Sequence, residues 1–303
     1  VDGNQNIEST TDNTLRVVDL LRADIPVYKG CHEPLIAGMK TNRQTFRAAP
    51  NYALIDGKKV YYHAPSLPIQ EAVSKVRDKN AVTFLVETLL SSSGDIVLVP
   101  VGPLTNIAAA MRCDQRIIEK IKRIVLMGGG WNKTNKTSAA EFNIWKDPEA
   151  AQIVFTSGCD ITVVPLDATH DAFITSEESE KIRAIGTDVA VAVADFLNDR
   201  ILVYDRLQPQ KIKGSTPPHD ALALCSLIDP EVLRDVRFCR VDVDFGGGIA
   251  DGMTVVDHRA YTLNPPNVHF AFSADRERFA ALLYNIVSLS KGMGENGYEK
   301  NHS

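Results

Sequence analysis

His219-Asp220 follows Thr216-Pro217-Pro218 and opens the apolar stretch Ala221-Leu222-Ala223-Leu224. An imidazole titrates near neutrality and suits proton transfer, so a histidine heading a helix and facing a crevice is a candidate acid or base, with Asp220 able to cap that helix. A capping aspartate beside a structural histidine has the same letters, and the pair alone does not identify an enzyme. Glu141-Phe142-Asn143 lies between two expected elements, with Asn132 and Asn135 upstream and Trp145 beyond. A carboxylate and carboxamides around aromatic rings can grip sugar hydroxyls and stack on a planar ring, as in a small-molecule site, although a polar surface loop reads alike. Gly128-Gly129-Gly130 either lets backbone approach an anionic or sugar ligand or makes a tight turn without one. His170, after Asp167-Ala168-Thr169, stands at a strand end, where a structural histidine is the plainer reading.

Other chemistries lose support. Neither GxGxxG nor GxxxxGK[ST] occurs, against nicotinamide and P-loop enzymes, and no GxSxG elbow occurs. His32, His63, His258, His269 and His302 have no paired spacing and read as structural or surface residues. The five cysteines, Cys31, Cys113, Cys159, Cys225 and Cys239, are scattered and odd in number, which fits reduced, mostly buried thiols. Asn132, Asn135 and Asn301 head glycosylation sequons that matter only in a secreted protein.

The elements that position these residues alternate. Residues 14–21 have helical spacing, and Ile25-Pro26-Val27-Tyr28 reads as a short strand. Residues 41–72 are polar and Pro-rich and predict a long loop over one end. A helix over 74–90 then leads to the strand 95–100, and the turn Gly102-Pro103-Leu104-Thr105-Asn106 opens a helix over 107–111. A short helix precedes the strand 123–127, Asp147-Pro148 starts a helix through Phe155, and 161–166 is the next strand. Residues 175–210 read as largely helical, with an amphipathic stretch from Val189 to Tyr204. Alternating strands at 241–245, 253–257 and 268–272 precede a final helix over 275–288.

These apolar runs separated by helices predict an α/β fold, a mostly parallel sheet with helices on both faces, in a single domain over 1–303. Ligands of such sheets bind beyond the carboxyl ends of the strands. With 303 residues, 44% hydrophobic and 23% charged, the chain can bury a large core and is neither disordered nor a disulfide scaffold. A net charge of −5 gives no general attraction to nucleic acid or anionic membrane, and no run of 18 apolar residues occurs.

The segments Val1-Asp2-Gly3-Asn4-Gln5, Gly102-Pro103-Leu104-Thr105-Asn106, Leu126-Met127-Gly128-Gly129-Gly130, Ala140-Glu141-Phe142-Asn143, Asp147-Pro148-Glu149-Ala150-Ala151, Leu166-Asp167-Ala168-Thr169 and His219-Asp220 resemble, in order and approximate spacing, the nucleoside hydrolase family. The similarity runs from the first residue to the final helix and is nearest to the inosine-uridine-preferring members. It implies a Ca2+-dependent N-ribohydrolase that splits the bond between ribose and nucleobase of a small-molecule nucleoside or riboside. It also implies a homodimer or homotetramer, with a cytoplasmic location expected and secretion as the alternative. In this family an aspartate-held, calcium-bound water attacks the sugar C1′ as an oxocarbenium-like state develops. Carried over by position, Asn4, Asn135, Glu141 and Asn143 resemble the ribose-binding residues, and Phe142 a pocket-lining aromatic. Val101 resembles the residue whose backbone carbonyl ligates calcium, and Asp220 a carboxylate ligand of the metal. His219 resembles the histidine that assists departure of the base, and Tyr204 lies in the helical region that flanks the base.

Two departures stand out. The family's Asp-rich DxDxGxDD segment, source of the general base and most carboxylates on calcium, is not present in the chain. The family's first strand, within a unit of roughly 35–40 residues, is expected to precede Val1. The His-Gly-rich loop expected before the helix at 74 is replaced by Tyr61-Tyr62-His63-Ala64-Pro65. The alternative to an enzyme is an inactive relative that binds a nucleoside or sugar, or that serves a structural role.

Overall fold

In the computed structural model, residues 1–36, 39, 51–55, 57–259, 261 and 263–293 are described. The first half runs through α1 (Ile7–Leu20), a hairpin of β1 (Tyr52–Ile55) and β2 (Lys58–Tyr61), α2 (Ala81–Ser91), β3 (Ile96–Leu98), α3 (Thr105–Cys113), β4 (Ile121–Met127), α4 (Phe142–Lys146), α5 (Pro148–Phe155) and β5 (Ile161–Val164). It continues through α6 (Leu166–Thr169), β6 (Ile174–Thr175), α7 (Ser176–Arg183), α8 (Asp188–Leu207), β7 (Ser215–Thr216), α9 (His219–Ile228), β8 (Leu233–Val243), β9 (Thr254–Asp257), β10 (Val268–Ala274) and α10 (Arg276–Ser288).

The main sheet has the order β3-β4-β5-β10-β8-β9. Pairing is parallel from β3 to β10 and antiparallel from β10 through β8 to β9. Side-chain alternation on β4 divides the interior in two. Ile124 and Leu126 pack with α2, α3 and α5, whereas Val125 and Met127 pack with α7, α8, α9 and α10. This is the mostly parallel sheet, covered on both faces, that the apolar runs predict. Among the described residues no helix is long and apolar enough to cross a membrane.

Local chemistry sets the element ends, and several differ from the sequence reading. Helix α1 starts at Ile7 rather than near residue 14, because the Asn6 side chain accepts from the Ser9 amide. Its Thr11 and Thr14 hydroxyls bond back to the carbonyls of Ile7 and Thr10, so a polar stretch still forms a helix. The expected strand at 25–28 reduces to one bridge between Tyr28 and Arg77. The helix expected from 74 begins at Ala81, capped by Asn80. In the expected 41–72 loop, residues 41–50 and 56 lie outside the described residues, and 52–55 pair with 58–61 as the β1–β2 hairpin. Strand β8 starts eight residues before the expected Val241, its Arg and Asp side chains facing outward with Arg237 paired to Asp235. All five cysteines are free, and Cys159 and Cys225 are buried.

Asp147 is the main polar tie in the first core. Its Oδ1 caps α5 through the Ala150 amide, and its Oδ2 accepts from the Thr105 hydroxyl at 2.6 Å and the Leu35 amide at 2.9 Å. Burial pushes this carboxyl up, and the Thr105 hydrogen bond opposes it most strongly. Removing the acceptor orphans donors on three separate segments. Asp147→Ala is therefore expected to lower unfolding free energy by about 2–4 kcal/mol, read by urea denaturation, whereas truncation of solvent-facing Glu231 changes it little.

Candidate active site

The carboxyl ends of β4 and β5 and the first turn of α9 meet at one rim of the sheet. Beyond β4 the chain turns through Gly129, at φ +76°, where a Cβ would press on the Thr254 side chain at 2.9 Å. The turn also orients an amide: the Gly129 N–H donates to Glu141 Oε2 at 2.9 Å. The same oxygen accepts from the Ile144 amide at 3.1 Å as the N-cap of α4. The glycine run thus positions a side chain rather than being only a turn. Glu141 is 2% exposed, and burial raises its carboxyl to about 7, the backbone amides opposing and the nearby Asp220 charge adding to the rise.

Asn143, two residues on, donates its amide nitrogen to the Met127 carbonyl at 3.1 Å, which fixes the carboxamide plane at the end of β4. Asn135 Oδ1 accepts from the Phe142 amide at 2.9 Å, holding the 131–140 loop against α4. Phe142 lies 6.4 Å from Trp145 between ring centroids. Asp167 fixes the start of that loop by accepting from the Trp131 and Asn132 amides.

His219 is the first residue of α9, behind Pro218, and no side chain caps this helix. This corrects the expectation that Asp220 caps it: Asp220 sits in the first turn, reached by water yet crowded by protein. That crowding raises its carboxyl to about 6. Both ring nitrogens of His219 are engaged, Nδ1 with Thr169 Oγ1 at 2.6 Å and Nε2 with the Tyr204 hydroxyl at 2.8 Å. Arg200 lies over the Tyr204 ring, its guanidinium carbon 4.9 Å from the centroid. Its charge makes the phenol the better donor, so His219 Nε2 accepts and Nδ1–H donates to Thr169. Burial, then the charges of His170, Arg200 and His63, holds His219 well below its ordinary pKa.

His170, already marked by its place after a strand, joins this group together with two partners that have no local sequence signal, His63 and Arg200. The His170 ring lies 5.4 Å from His219 and bonds Gln210. His63, read as structural or surface, lies close enough to Arg200 and His219 for their charges to interact, and burial lowers its pKa to about 3. Arg200 donates to the Tyr62 carbonyl and so ties α8 to the segment carrying His63. Contact across some 140 residues leaves no mark in periodicity or spacing.

The remaining candidates frame the rim. The segment bearing Asn4 runs beside the Gly102-Pro103 turn, where Val1 approaches Gly102, and Gln5 donates to the His63 carbonyl at 2.7 Å. Asp2 pairs with Lys146 of α4 at 2.7 Å. Val101 follows β3 and is 36% exposed, and Asn4 is also exposed. Calcium takes six to eight oxygens. Against that, the Asp220 carboxylate and the Val101 carbonyl are one ligand each, and among the described residues no group of three or more His, Cys, Asp or Glu could hold a metal. These residues alone do not make a calcium site.

A family model for inosine-uridine preferring nucleoside hydrolase matches residues 1–281. A pyrimidine-specific ribonucleoside hydrolase RihA from Shewanella sp. (strain ANA-3) is 39% identical over 288 residues, 95% of this chain and 86% of that protein. The RihA of Escherichia coli O81 (strain ED1a) is 38% identical over 282 residues, covering 93% and 86%. Among solved structures, a purine-preferring ribonucleoside hydrolase from Gardnerella vaginalis superposes with TM-score 0.78 at 28% identity, covering 94% of this chain and 87% of its own. A plant nucleoside hydrolase gives 0.79 at 27% identity, covering 95% and 88%.

The raised Glu141 pKa sets a pH dependence of stability. Below about pH 4.5 the carboxyl is protonated in folded and unfolded chains alike. Between there and about pH 7 the unfolded chain loses a proton that the folded chain keeps, so stability falls as pH rises. In chelator-containing buffer, Glu141→Gln is expected to gain on the order of 3 kcal/mol relative to wild type between pH 4.5 and pH 8, measured by denaturant unfolding. A constant difference across that range would refute the burial argument.

Proposed function

Because the chain belongs to the inosine-uridine preferring nucleoside hydrolase family, we propose that its nucleoside-hydrolase-type glycosidase activity is directed at pyrimidine ribonucleosides, releasing ribose and free base. The family match supports the reaction class, and the names of the RihA relatives support the pyrimidine preference. The observation that carries the reading is the convergence of Glu141, Asn143, His219 and Asp220 on one rim, although two stretches of sequence far apart supply them.

In this reading Asn4, Asn135, Glu141 and Asn143 bind the ribose, and Phe142, Tyr204 and His219 flank the base. Positive charge develops on the sugar ring as the glycosidic bond stretches, and the ionised Glu141 and Asp220 carboxylates stabilise it. His219 contacts the base by exchanging its Tyr204 hydrogen bond for one to substrate. The calcium dependence implied by the resemblance is not met by Asp220 and Val101 alone, and no step here runs through a metal. The alternative reading is a family member that binds a nucleoside without turnover.

Uridine, cytidine, inosine and adenosine, incubated with the protein in Ca2+-containing buffer and analysed by chromatography, separate the two. The expected result is free uracil and ribose, with the pyrimidine ribosides cleaved faster. Glu141→Gln is expected to lower kcat/KM for uridine by about 10²–10³-fold. Calorimetric binding of uridine without base release would establish the second reading.

A further inference from the structure

We propose that Lys136 forms a subsite for an anion on C5′ of the ribose, so that the cleft takes pyrimidine ribonucleoside 5′-monophosphates and releases ribose 5-phosphate. The inference rests on the hydrolase reading above and adds a residue and a substrate class to it.

Lys136 follows Asn135 on the 131–140 loop, and its side chain lies against α4. Its ammonium nitrogen is 4.6 Å from the centroid of the Trp145 ring and 5.9 Å from that of Phe142. The turn beneath it is tied down. The Lys136 amide donates to the Ala140 carbonyl at 3.1 Å, and the Thr137 hydroxyl accepts from the Ala139 and Ala140 amides. Ring faces and a fixed turn together limit where the ammonium can go.

Its charge is unanswered. Lys136 is half-buried, and among the described residues no carboxylate pairs with it and no acceptor takes its N–H donors. The charged group that acts on it is Lys146, whose own ammonium engages Asp2 at 2.7 Å. Burial, and then Lys146, hold the Lys136 pKa below its ordinary value. A half-buried cation beside a like charge is costly, and an arriving dianion offsets that cost through charge-assisted hydrogen bonds.

The stereochemistry of a ribonucleoside decides which part of the substrate meets this corner. In a β-riboside the base and the C5′ substituent project from one face of the sugar ring, and the 2′ and 3′ hydroxyls from the other. Lys136 is bracketed by Asn135, which grips the ribose in this reading, and Phe142, which flanks the base. A position beside both lies along the face that carries the base and C5′. Residues 132–135 next to it are exposed, so a phosphate there keeps part of its hydration and escapes the full cost of burial.

The bonds balance without a redox partner. Water adds across the C1′–N bond, its hydroxyl going to C1′ and its other proton to the base, and the phosphate ester is untouched. Uridine 5′-monophosphate thus gives uracil and ribose 5-phosphate.

Uracil release from uridine and from uridine 5′-monophosphate, followed by chromatography in Ca2+-containing buffer, tests the subsite. Wild type is expected to show kcat/KM at least about tenfold higher on the nucleotide. Lys136→Met, which keeps an apolar stem on Trp145, is expected to lower the nucleotide-to-uridine ratio at least about tenfold, and Lys136→Arg to keep it within about threefold of wild type. A role confined to holding Phe142 and Trp145 moves both substrates together and leaves the ratio as it was. Thermal melts check folding, and if Lys136→Met does not fold, Lys136→Gln takes its place. A wild type that prefers uridine, or an unchanged ratio in the folded variant, overturns the subsite and leaves the hydrolase reading intact. A protein that cleaves neither compound overturns the hydrolase reading alone. Calorimetry then decides the subsite: the nucleotide is expected to bind at least about tenfold tighter than uridine, and equal affinities overturn it.

Discussion

A carboxylate buried at the end of β4 is the constraint around which the rim is built. Glu141 is nearly sealed from water, and an ionised carboxylate there is costly unless amides face it. The chain meets that cost by turning at Gly129 and starting α4 at once, so that two backbone N–H groups converge on one oxygen. Each choice fixes a neighbour. Starting α4 there places Asn143 under the last carbonyl of β4, and ending α4 at Lys146 makes Asp147 the cap of α5. The tight Gly129 turn draws Thr254 of β9 against Gly130, where its hydroxyl bonds both the amide and the carbonyl. One buried acid thus links the far edge of the sheet to the site.

Parallel pairing supplies the other half of the arrangement. Strands β4 and β5 end at the same rim, so the residues after them lie side by side although some 40 positions separate them. Thr169, after β5, receives His219, which α9 brings from beyond α8. Helix α8 then adds Tyr204 and Arg200 from above. The imidazole is held at both nitrogens, so its plane is set before any ligand enters, and ordering it on binding costs little.

What was legible in the sequence follows from which interactions are local. The Asp147-Pro148 start of α5, the alternation of β4 and the parallel core are written within a few residues of themselves. Family-like segments flag Glu141, Asn143, His219 and Asp220 because each sits at a strand or helix end. The start of helix α1 is hidden because Thr, Asp and Asn are weak helix formers, and only the folded chain shows the Thr11 and Thr14 hydroxyls bonding the preceding turn. The β1–β2 hairpin resembles loop in sequence because Pro and polar residues surround two four-residue strands. Asp220 resembles a cap because an aspartate at a helix start has the same letters whether it bonds its own amides or faces outward. His63 and Arg200 gave no signal, since each acquires its surroundings from the other end of the chain.

That division separates two kinds of residue in the cleft. Groups at strand ends are set by the sheet: their positions follow from register and the turn chemistry beside them, and any chain with this fold must place something there. His63 and Arg200 are set by one contact between α8 and the 60s segment, outside the sheet, through the Tyr62 carbonyl. Changing that contact leaves both cores intact, because neither residue belongs to them. The strand-end groups are therefore coupled to the sheet, and the α8 contact is not. A fold built this way can change the α8 contact at small structural cost while the groups at the strand ends stay fixed.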